Sequence, residues 1–153
     1  MIRNSFAAVL AYGLSLSYMP PAAAETNVMV IFHASGSMKR PSGSETRITA
    51  ARRIVSETLA TMPATVRTGL VTFGHRRGKD CSDIEVISPI GADDSRTQAR
   101  MVNGFDAIGE TPIAAALDRA GQSMKAFKSD ANSIVLVTDG VEECRGDPCA
   151  AAD

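Results

Sequence analysis

The sequence is poor in aromatic residues and has no strong excess of either charge. Tryptophan is absent from the 153 residues, tyrosine occurs twice and phenylalanine five times. The formal net charge is −1, from 16 basic and 17 acidic residues, and no long run of like charge occurs. Proteins that bind nucleic acids or membrane surfaces usually carry clustered basic residues. The composition therefore supports neither kind of partner and is typical of a single globular domain.

Long hydrophobic runs are also missing, apart from one segment at the amino terminus. Residues 1–24 carry one positive charge, Arg3, then an apolar run from Phe6, and small residues at Ala22 and Ala24. This order is typical of a cleaved secretory signal peptide. Polar residues interrupt the run, which falls short of the roughly 20 apolar residues of a membrane span. We therefore predict a signal peptide over 1–24, a domain over 25–153 without a membrane span, and a periplasmic or secreted location.

Motifs of common enzyme classes are absent as well. No G-x-S-x-G motif frames a serine, and no glycine-rich loop ends in Lys-Ser or Lys-Thr. His33 and Ser35 lie two residues apart, so a serine hydrolase in which Asp139 orients His33 is an alternative. Such an enzyme needs an oxyanion hole, and the sequence offers no evident one. We therefore predict a protein without enzymatic activity, with the serine-dependent hydrolase as the competing hypothesis.

Only three cysteines are present, and export would place them in an oxidising compartment. Cys144 and Cys149 lie five positions apart across a glycine and a proline, which favour a turn. We predict a disulfide between these two, and Cys81 is an alternative partner for either of them. A zinc site built from His75 and the three cysteines is a further alternative by ligand type.

Apolar, β-branched runs alternate with helical patterns along the rest of the chain. The patterns predict strands over 27–32, 66–74, 82–90 and 133–140, and helices over 47–62, 93–105 and 109–127. Pro89 places the third of these strands at an edge of the sheet, where a missing backbone donor is tolerated. The alternation predicts an α/β fold of three layers, in which helices flank a mostly parallel, Rossmann-like sheet.

Hydroxyl and carboxyl side chains stand where the predicted strands end. Ser35 and Ser37 follow the first strand, Thr111 opens a helix, and Asp139 ends the last strand. In an open α/β sheet, ligands bind outside the carboxyl ends of the strands. Oxygen atoms are the ligands that Mg²⁺ and other hard cations prefer. The sequence therefore predicts a cation-binding site made of these four residues at one rim of the sheet.

These residues resemble the metal-ion-dependent adhesion site of the von Willebrand factor type A family. That site combines an Asp-x-Ser-x-Ser motif after the first strand, a threonine and an aspartate, and the matching segments here are HASGS, GETP and TDG. The resemblance covers residue 27 to the end, and the segments GHRRGKDCSDIE and TDGVEECRGDPCAAA look like a bacterial exported branch of the family. It implies an adhesion-type, protein-binding module that holds Mg²⁺ or Mn²⁺, with an acidic side chain of a protein partner completing the metal shell.

One departure from the family pattern lies in the metal site itself. His33 occupies the position of the first aspartate, which removes a negative charge and lowers the expected affinity for Mg²⁺. His33 would be a fifth ligand only if a cation still binds here despite the lost charge. The alternative is a site that binds no metal. Glu142 and Glu143, close after Asp139, are expected to be surface charges rather than substitutes for the missing carboxylate.

The second departure concerns the extent of the domain. The family fold continues with further strands and helices, so we interpret this domain as truncated and incomplete at its C-terminal side. The last strand would then lie at an exposed edge of the sheet, with unpaired backbone groups. Together with His33, this feature raises one more alternative, a degenerate fragment that has no retained function and binds no metal.

Overall fold

The structure, a computed structural model, describes residues 25–152, so the predicted signal peptide over 1–24 lies outside the described residues. The strands of the described chain are β1 (Thr26–His33), β2 (Pro41–Ser42), β3 (Glu45–Thr46), β4 (Val66–Phe73), β5 (Ile84–Ser88) and β6 (Ala131–Val137). Its α-helices are α1 (Arg47–Ala60), α2 (Ser95–Val102), α3 (Ile113–Met124) and α4 (Pro148–Ala152). None of these helices has the length and hydropathy that a membrane span requires.

Four strands form the central sheet, in the order β5-β4-β1-β6. β1 pairs in parallel with β4 on one side and with β6 on the other, whereas β5 runs antiparallel to β4 at the edge. The predicted mostly parallel sheet is confirmed, and so is the edge position of the third predicted strand. The two short strands β2 and β3 form a separate hairpin before α1, which the sequence patterns did not predict.

Helices cover both faces of the sheet and produce the predicted three layers. Successive side chains of a strand point to opposite faces, so β1 contributes to two cores. Val30 and Phe32 pack in the core that contains α1 and α2, whereas Met29 and Ile31 pack in the core that contains α3. All four side chains are buried, which explains why β1 reads as a continuous apolar run.

The helix boundaries follow from capping. Thr46 caps the start of α1 by accepting a hydrogen bond from the amide of Thr49. Asp94 caps α2 in the same way through the amide of Thr97 at 2.7 Å. The helix predicted over 93–105 is therefore shorter at both ends, since α2 covers Ser95–Val102. The helix predicted over 109–127 is shorter as well, since Pro112 precedes α3 and the helix covers Ile113–Met124. These are shifts of a few residues, as is usual for helix ends.

β6 is the other edge of the sheet within residues 25–152. It pairs with β1 and with no second strand of the described chain. Ile134 and Val135 of β6 are 38% and 46% exposed. This is the exposed apolar edge that was predicted for the last strand.

Candidate functional site

The carboxyl ends of β1 and β6 and the start of α3 bring the predicted site residues to one rim. Ser35 and Ser37 follow β1, Thr111 lies two residues before α3, and Asp139 lies two residues after β6. A parallel bridge between Ser35 and Gly109 holds the serine loop against the loop that leads into α3. Parallel strands end on the same side of a sheet, which is why residues far apart in sequence meet here.

Two glycines allow the loops behind this rim to pack closely. Gly74 follows β4 with φ 72°, and a Cβ atom there would lie 2.8 Å from the carbonyl oxygen of Glu110. A Cβ atom on Gly109 would lie 2.5 Å from the carbonyl oxygen of Arg77. Side chains at either position would push the loops apart, so the glycines fix where Thr111 stands relative to the serines.

Three hydroxyls and one carboxylate converge within hydrogen-bond distance at the rim. Ser35 Oγ lies 3.2 Å from Ser37 Oγ and 3.0 Å from Thr111 Oγ1. Ser37 Oγ donates to Asp139 Oδ1 at 3.0 Å. The structure thus brings together all four residues predicted as ligands. Ser35 and Thr111 are buried, whereas Ser37 and Asp139 are partly exposed, so the cluster opens to solvent on their side.

His33 lies fully buried beneath this cluster and links its two ends. Its Nε2 atom lies 2.5 Å from Ser35 Oγ. Its Nδ1 atom lies 3.2 Å from Asp139 Oδ1 and 3.0 Å from Thr138 Oγ1. The ring stacks on Phe73 with the centroids 4.8 Å apart, which fixes its plane. His33 therefore joins the serine loop to the loop after β6 by direct contacts.

The protonation of His33 follows from these partners. A carboxylate only accepts hydrogen bonds, so we assign the proton to Nδ1, which faces Asp139, and Nε2 then accepts from the hydroxyl of Ser35. Burial lowers the pKa of His33, although the fields of Asp139 and Glu143 act in the opposite direction. The imidazole is therefore neutral at pH 7 and adds no positive charge to the rim.

The contacts from Asp139 through His33 to Ser35 have the order found in serine hydrolases. Ser35 is fully buried, however, so its hydroxyl has no open path to a substrate. The amide of Gly36, which follows the serine, already donates to the carbonyl of Gly109 at 2.9 Å and is not available to an oxyanion. These two observations argue against hydrolase chemistry at this site.

Two acidic residues of the loop after β6 form hydrogen bonds with α3 or with Thr111. Glu143 is exposed, as predicted, and Glu142 is partly buried. Glu143 Oε2 accepts from Thr111 Oγ1 at 2.6 Å, and the amide of Glu143 donates to the carbonyl of Thr111 at 3.1 Å. Glu142 Oε2 accepts from the amide of Ala114 in the first turn of α3 at 2.9 Å. Glu143 therefore supplies a second carboxylate near the hydroxyls. Its position four residues after Asp139 was the available signal in the sequence.

Arg47 is the other site residue that sequence reasoning missed. It is the first residue of α1, and its guanidinium forms an ion pair with Oδ2 of Asp139. Burial opposes ionisation of Asp139, but hydrogen bonds from Arg47 and Ser37 outweigh it and hold the pKa of that carboxyl below its ordinary value. Asp139 is therefore an ionised carboxylate with both oxygens engaged. No sequence pattern indicated that the first turn of α1 faces this rim.

The oxygen atoms of the rim fit a hard divalent cation by their chemistry. Each hydroxyl has one proton to donate. We assign that of Ser35 to His33 and that of Ser37 to Asp139. Thr111 contacts both Glu143 at 2.6 Å and Ser35 at 3.0 Å, and we assign its proton to the shorter contact, with Glu143. The remaining contacts of Ser35 Oγ, at 3.2 Å and 3.0 Å, then join oxygens with no proton between them. A cation among these oxygens would relieve their repulsion. Within residues 25–152, no group of three His, Cys, Asp or Glu side chains surrounds a common position, so a cation would depend on the hydroxyls.

The disulfide differs from the predicted pair. Cys81 and Cys144 are bonded, with Cα atoms 5.7 Å apart, and Cys149 is free and exposed. The predicted Cys144–Cys149 bond is therefore wrong, and the alternative with Cys81 is confirmed. Glu142 also accepts from the amide of Cys144 at 2.7 Å and turns the loop toward α3, whereas Cys149 lies in α4. Two of the cysteines that a zinc site would need are oxidised, which excludes that alternative.

Comparison with known proteins identifies the family of this chain. The sequence model of the von Willebrand factor type A domain matches residues 28–142. The chain is 33% identical over 144 residues to the uncharacterized protein YwmD of Bacillus subtilis (strain 168). This alignment covers 89% of the chain and 64% of YwmD, so the chain spans less than two thirds of that relative.

Solved structures with the same fold include bacterial proteins of low sequence identity. An aerotolerance-related membrane protein from Bacteroides fragilis NCTC 9343 superposes with a TM-score of 0.63 at 21% identity, over 79% of this chain and 57% of that one. The vWF domain of the type V pili tip protein Mfa5 from Porphyromonas gingivalis superposes with a TM-score of 0.58 at 22% identity, over 78% and 39%. At this level of identity, the likeness concerns the fold.

Proposed function

This chain belongs to the von Willebrand factor type A family, and from that premise we propose that it is an exported, adhesion-type module that binds another protein. The observation that carries the proposal is the convergence of Ser35, Ser37, Thr111 and Asp139 at the carboxyl rim of the sheet. The rim opens to solvent beside Ser37 and Asp139, where a partner has access. Domains of this family are generally interaction modules, and the similar domain of a pili tip protein supports the same role here.

The rim would hold Mg²⁺ or Mn²⁺ through the same four residues, directly or through water, with Glu143 as an added carboxylate. The bound cation would offer a coordination position to an acidic side chain of the partner, as the family resemblance implies. Neutral His33 supplies one charge less than an aspartate at this position, and its Nε2 is a poorer ligand for Mg²⁺ than a carboxylate oxygen. We therefore expect cation affinity to be weaker than the family pattern implies.

Export is supported by the apolar leader over 1–24 and by the Cys81–Cys144 disulfide, which persists in an oxidising compartment. The full chain expressed in a bacterium with a periplasm should be recovered from the periplasm or the medium. Amino-terminal sequencing should then find a mature chain that begins near Glu25. Recovery of the uncleaved chain from the cytoplasm would contradict this part of the proposal.

Isothermal titration calorimetry with Mg²⁺ and then Mn²⁺ tests the metal site. Wild type, His33→Asp and Asp139→Ala are compared after circular dichroism has shown that each is folded. We expect wild type to bind weakly, His33→Asp to bind about tenfold or more tightly, and Asp139→Ala not to bind. Binding that persists in Asp139→Ala would place the cation elsewhere. No binding by any variant would remove metal-dependent adhesion and favour the alternative of a degenerate site.

The second candidate function, a serine hydrolase, is favoured by the 2.5 Å contact between His33 Nε2 and Ser35 Oγ. A fluorophosphonate probe forms a covalent bond with an activated serine and separates the two hypotheses. The burial of Ser35 leads us to expect no labelling of wild type. Labelling that disappears in Ser35→Ala but persists in Ser37→Ala would instead support the hydrolase.

A further inference from the structure

Both oxygens of the Asp139 carboxylate are already engaged by groups of this chain. Oδ1 accepts from Ser37 at 3.0 Å and lies 3.2 Å from Nδ1 of His33. Oδ2 pairs with the guanidinium of Arg47. A cation that is bound by Oδ2 must therefore displace Arg47. The ion pair therefore engages Oδ2 of Asp139, an oxygen atom that we propose as a metal ligand.

The environment of Arg47 allows such a displacement. Its backbone is fixed, because it begins α1 and its amide donates to the carbonyl of Arg40 at 3.0 Å. Its side chain is 35% exposed, whereas the side chain of Asp139 is only 13% exposed. Within residues 25–152, Asp139 is the acidic partner that Arg47 contacts. The guanidinium has solvent to move into, so it can leave the carboxylate without disturbing the helix.

The charges of the rim make the guanidinium and a divalent cation alternatives to each other. Asp139 and Glu143 are two negative charges and Arg47 is one positive charge, while His33 is neutral. A divalent cation beside Arg47 would leave the rim with a net positive charge and would place two cations at one carboxylate. With Arg47 in solvent, the cation and the two carboxylates balance. Occupancy by the metal therefore favours release of Arg47.

We propose that Arg47 is the resident counter-ion of this site, which competes with a divalent cation for Asp139 and thereby sets the cation affinity. The inference rests on the proposed function, since it concerns the same rim. The ion pair neutralises Asp139 when no cation is bound, so the rim keeps its shape in the absence of metal. Cation binding would release a guanidinium at the edge of the rim, close to where an acidic partner group would arrive.

The test is cation affinity in variants that remove one arginine at a time from α1. Arg47→Gln removes the competing charge, and Arg53→Gln is the matched control. Arg53 lies on the same helix and pairs with Glu45 at 2.9 Å, so its loss removes the same charge and one ion pair. Each variant is made in wild type and in His33→Asp, so that a weak wild-type site does not limit the measurement. Mg²⁺ affinity is measured by calorimetry.

We expect Arg47→Gln to tighten Mg²⁺ binding by about fivefold or more in each background that binds the ion, because a partly exposed ion pair need no longer be broken. Arg53→Gln should change the affinity by less than about twofold. Thermal unfolding gives an independent readout. In EDTA, Arg47→Gln should melt below wild type, and saturating Mg²⁺ should close the difference. Arg47→Lys keeps the charge and should bind Mg²⁺ about as weakly as wild type. It is the variant to measure if Arg47→Gln does not fold.

The outcomes separate this inference from the proposed function. Mg²⁺ binding by wild type or His33→Asp that is no tighter in Arg47→Gln would overturn the competition and leave the metal site intact. Equal tightening by Arg47→Gln and Arg53→Gln would also overturn it, since the effect would be that of overall charge. Tighter binding by Arg47→Lys would overturn it as well. Absence of Mg²⁺ binding from every variant would overturn both proposals together.

Discussion

Loss of the Cys81–Cys144 disulfide should lower the free energy of unfolding by about 4 kcal/mol. The two cysteines are 63 positions apart, and the entropy that the unfolded chain regains when a loop of this length opens gives that figure. A bond between Cys144 and Cys149 would close a loop of about six residues and contribute only about 2 kcal/mol. The difference of about 2 kcal/mol is large enough to distinguish the two pairings by equilibrium unfolding.

The assay is urea unfolding followed by circular dichroism, on wild type and cysteine variants under non-reducing conditions. Cys149→Ser is the matched control, because Cys149 is free and exposed, and it should unfold as wild type does. Cys81→Ser alone would leave Cys144 free to pair with Cys149. The informative variant is therefore Cys81→Ser/Cys149→Ser, which retains a single cysteine and should show the full loss.

Peptide mapping identifies the bond directly in the same samples. Cleavage after lysine and arginine places Cys81, Cys144 and Cys149 in the separate peptides 80–96, 129–145 and 146–153. We expect 80–96 linked to 129–145. A link between 129–145 and 146–153, or a loss of about 2 kcal/mol in Cys149→Ser, would refute the reasoning.

Further predictions concern the core and the pH dependence. Leu59→Ala, at a fully buried position of α1, should cost about 2–5 kcal/mol in urea unfolding, whereas Ile54→Ala, which is 53% exposed on the same helix, should stay within about 1 kcal/mol. Burial lowers the pKa of both His33 and His75 despite neighbouring carboxylates. As the pH falls, these histidines therefore bind protons in the unfolded chain before they do so in the folded protein. The free energy of unfolding should therefore fall as pH drops below about 6.5, and His75→Gln should flatten that decline; an unchanged slope would contradict the assignment.

The parts of this fold that were predictable are those with a continuous apolar run or a clear helical period. β1 and β4 are buried along most of their length, whereas α1 and α3 bury one stripe each, and burial is what hydrophobic patterns report. The four site residues were predictable because parallel strands end at one rim, so topology alone brings their loops together. The hairpin of β2 and β3 escaped prediction, since two-residue strands are too short to show any alternation.

The remaining parts depend on loop paths and on the directions of side chains. Cys144 and Cys149 share a turn-like sequence, and only the fold-back of the loop onto α3 shows that Cys144 points toward Cys81 instead. Glu143 is exposed, as predicted, but a sequence does not reveal that its backbone and its carboxylate both bond to Thr111. Arg47 lies 92 positions from Asp139, and no local pattern signals an ion pair at such a separation.

His33 and Arg47 together explain how the rim keeps its geometry with one carboxylate fewer. An aspartate at position 33 would place a second negative charge beside Asp139, and two adjacent carboxylates repel unless a cation lies between them. Neutral His33 instead bonds to Asp139 and Ser35, so hydrogen bonds hold the rim together without a cation. The same exchange that we expect to weaken cation binding should therefore stabilise the cation-free protein.

His33→Asp should therefore be less stable than wild type without Mg²⁺ and should gain more stability when Mg²⁺ is added. In EDTA, the variant should melt below wild type, because it loses the stacking of His33 on Phe73 and gains repulsion at Asp139. In Mg²⁺ the variant should gain more stability than wild type does, since stabilisation by a ligand grows with the ratio of its concentration to the dissociation constant. Unfolding curves of both proteins across a series of Mg²⁺ concentrations should therefore cross or converge. Parallel curves would show that His33 has no part in setting cation affinity.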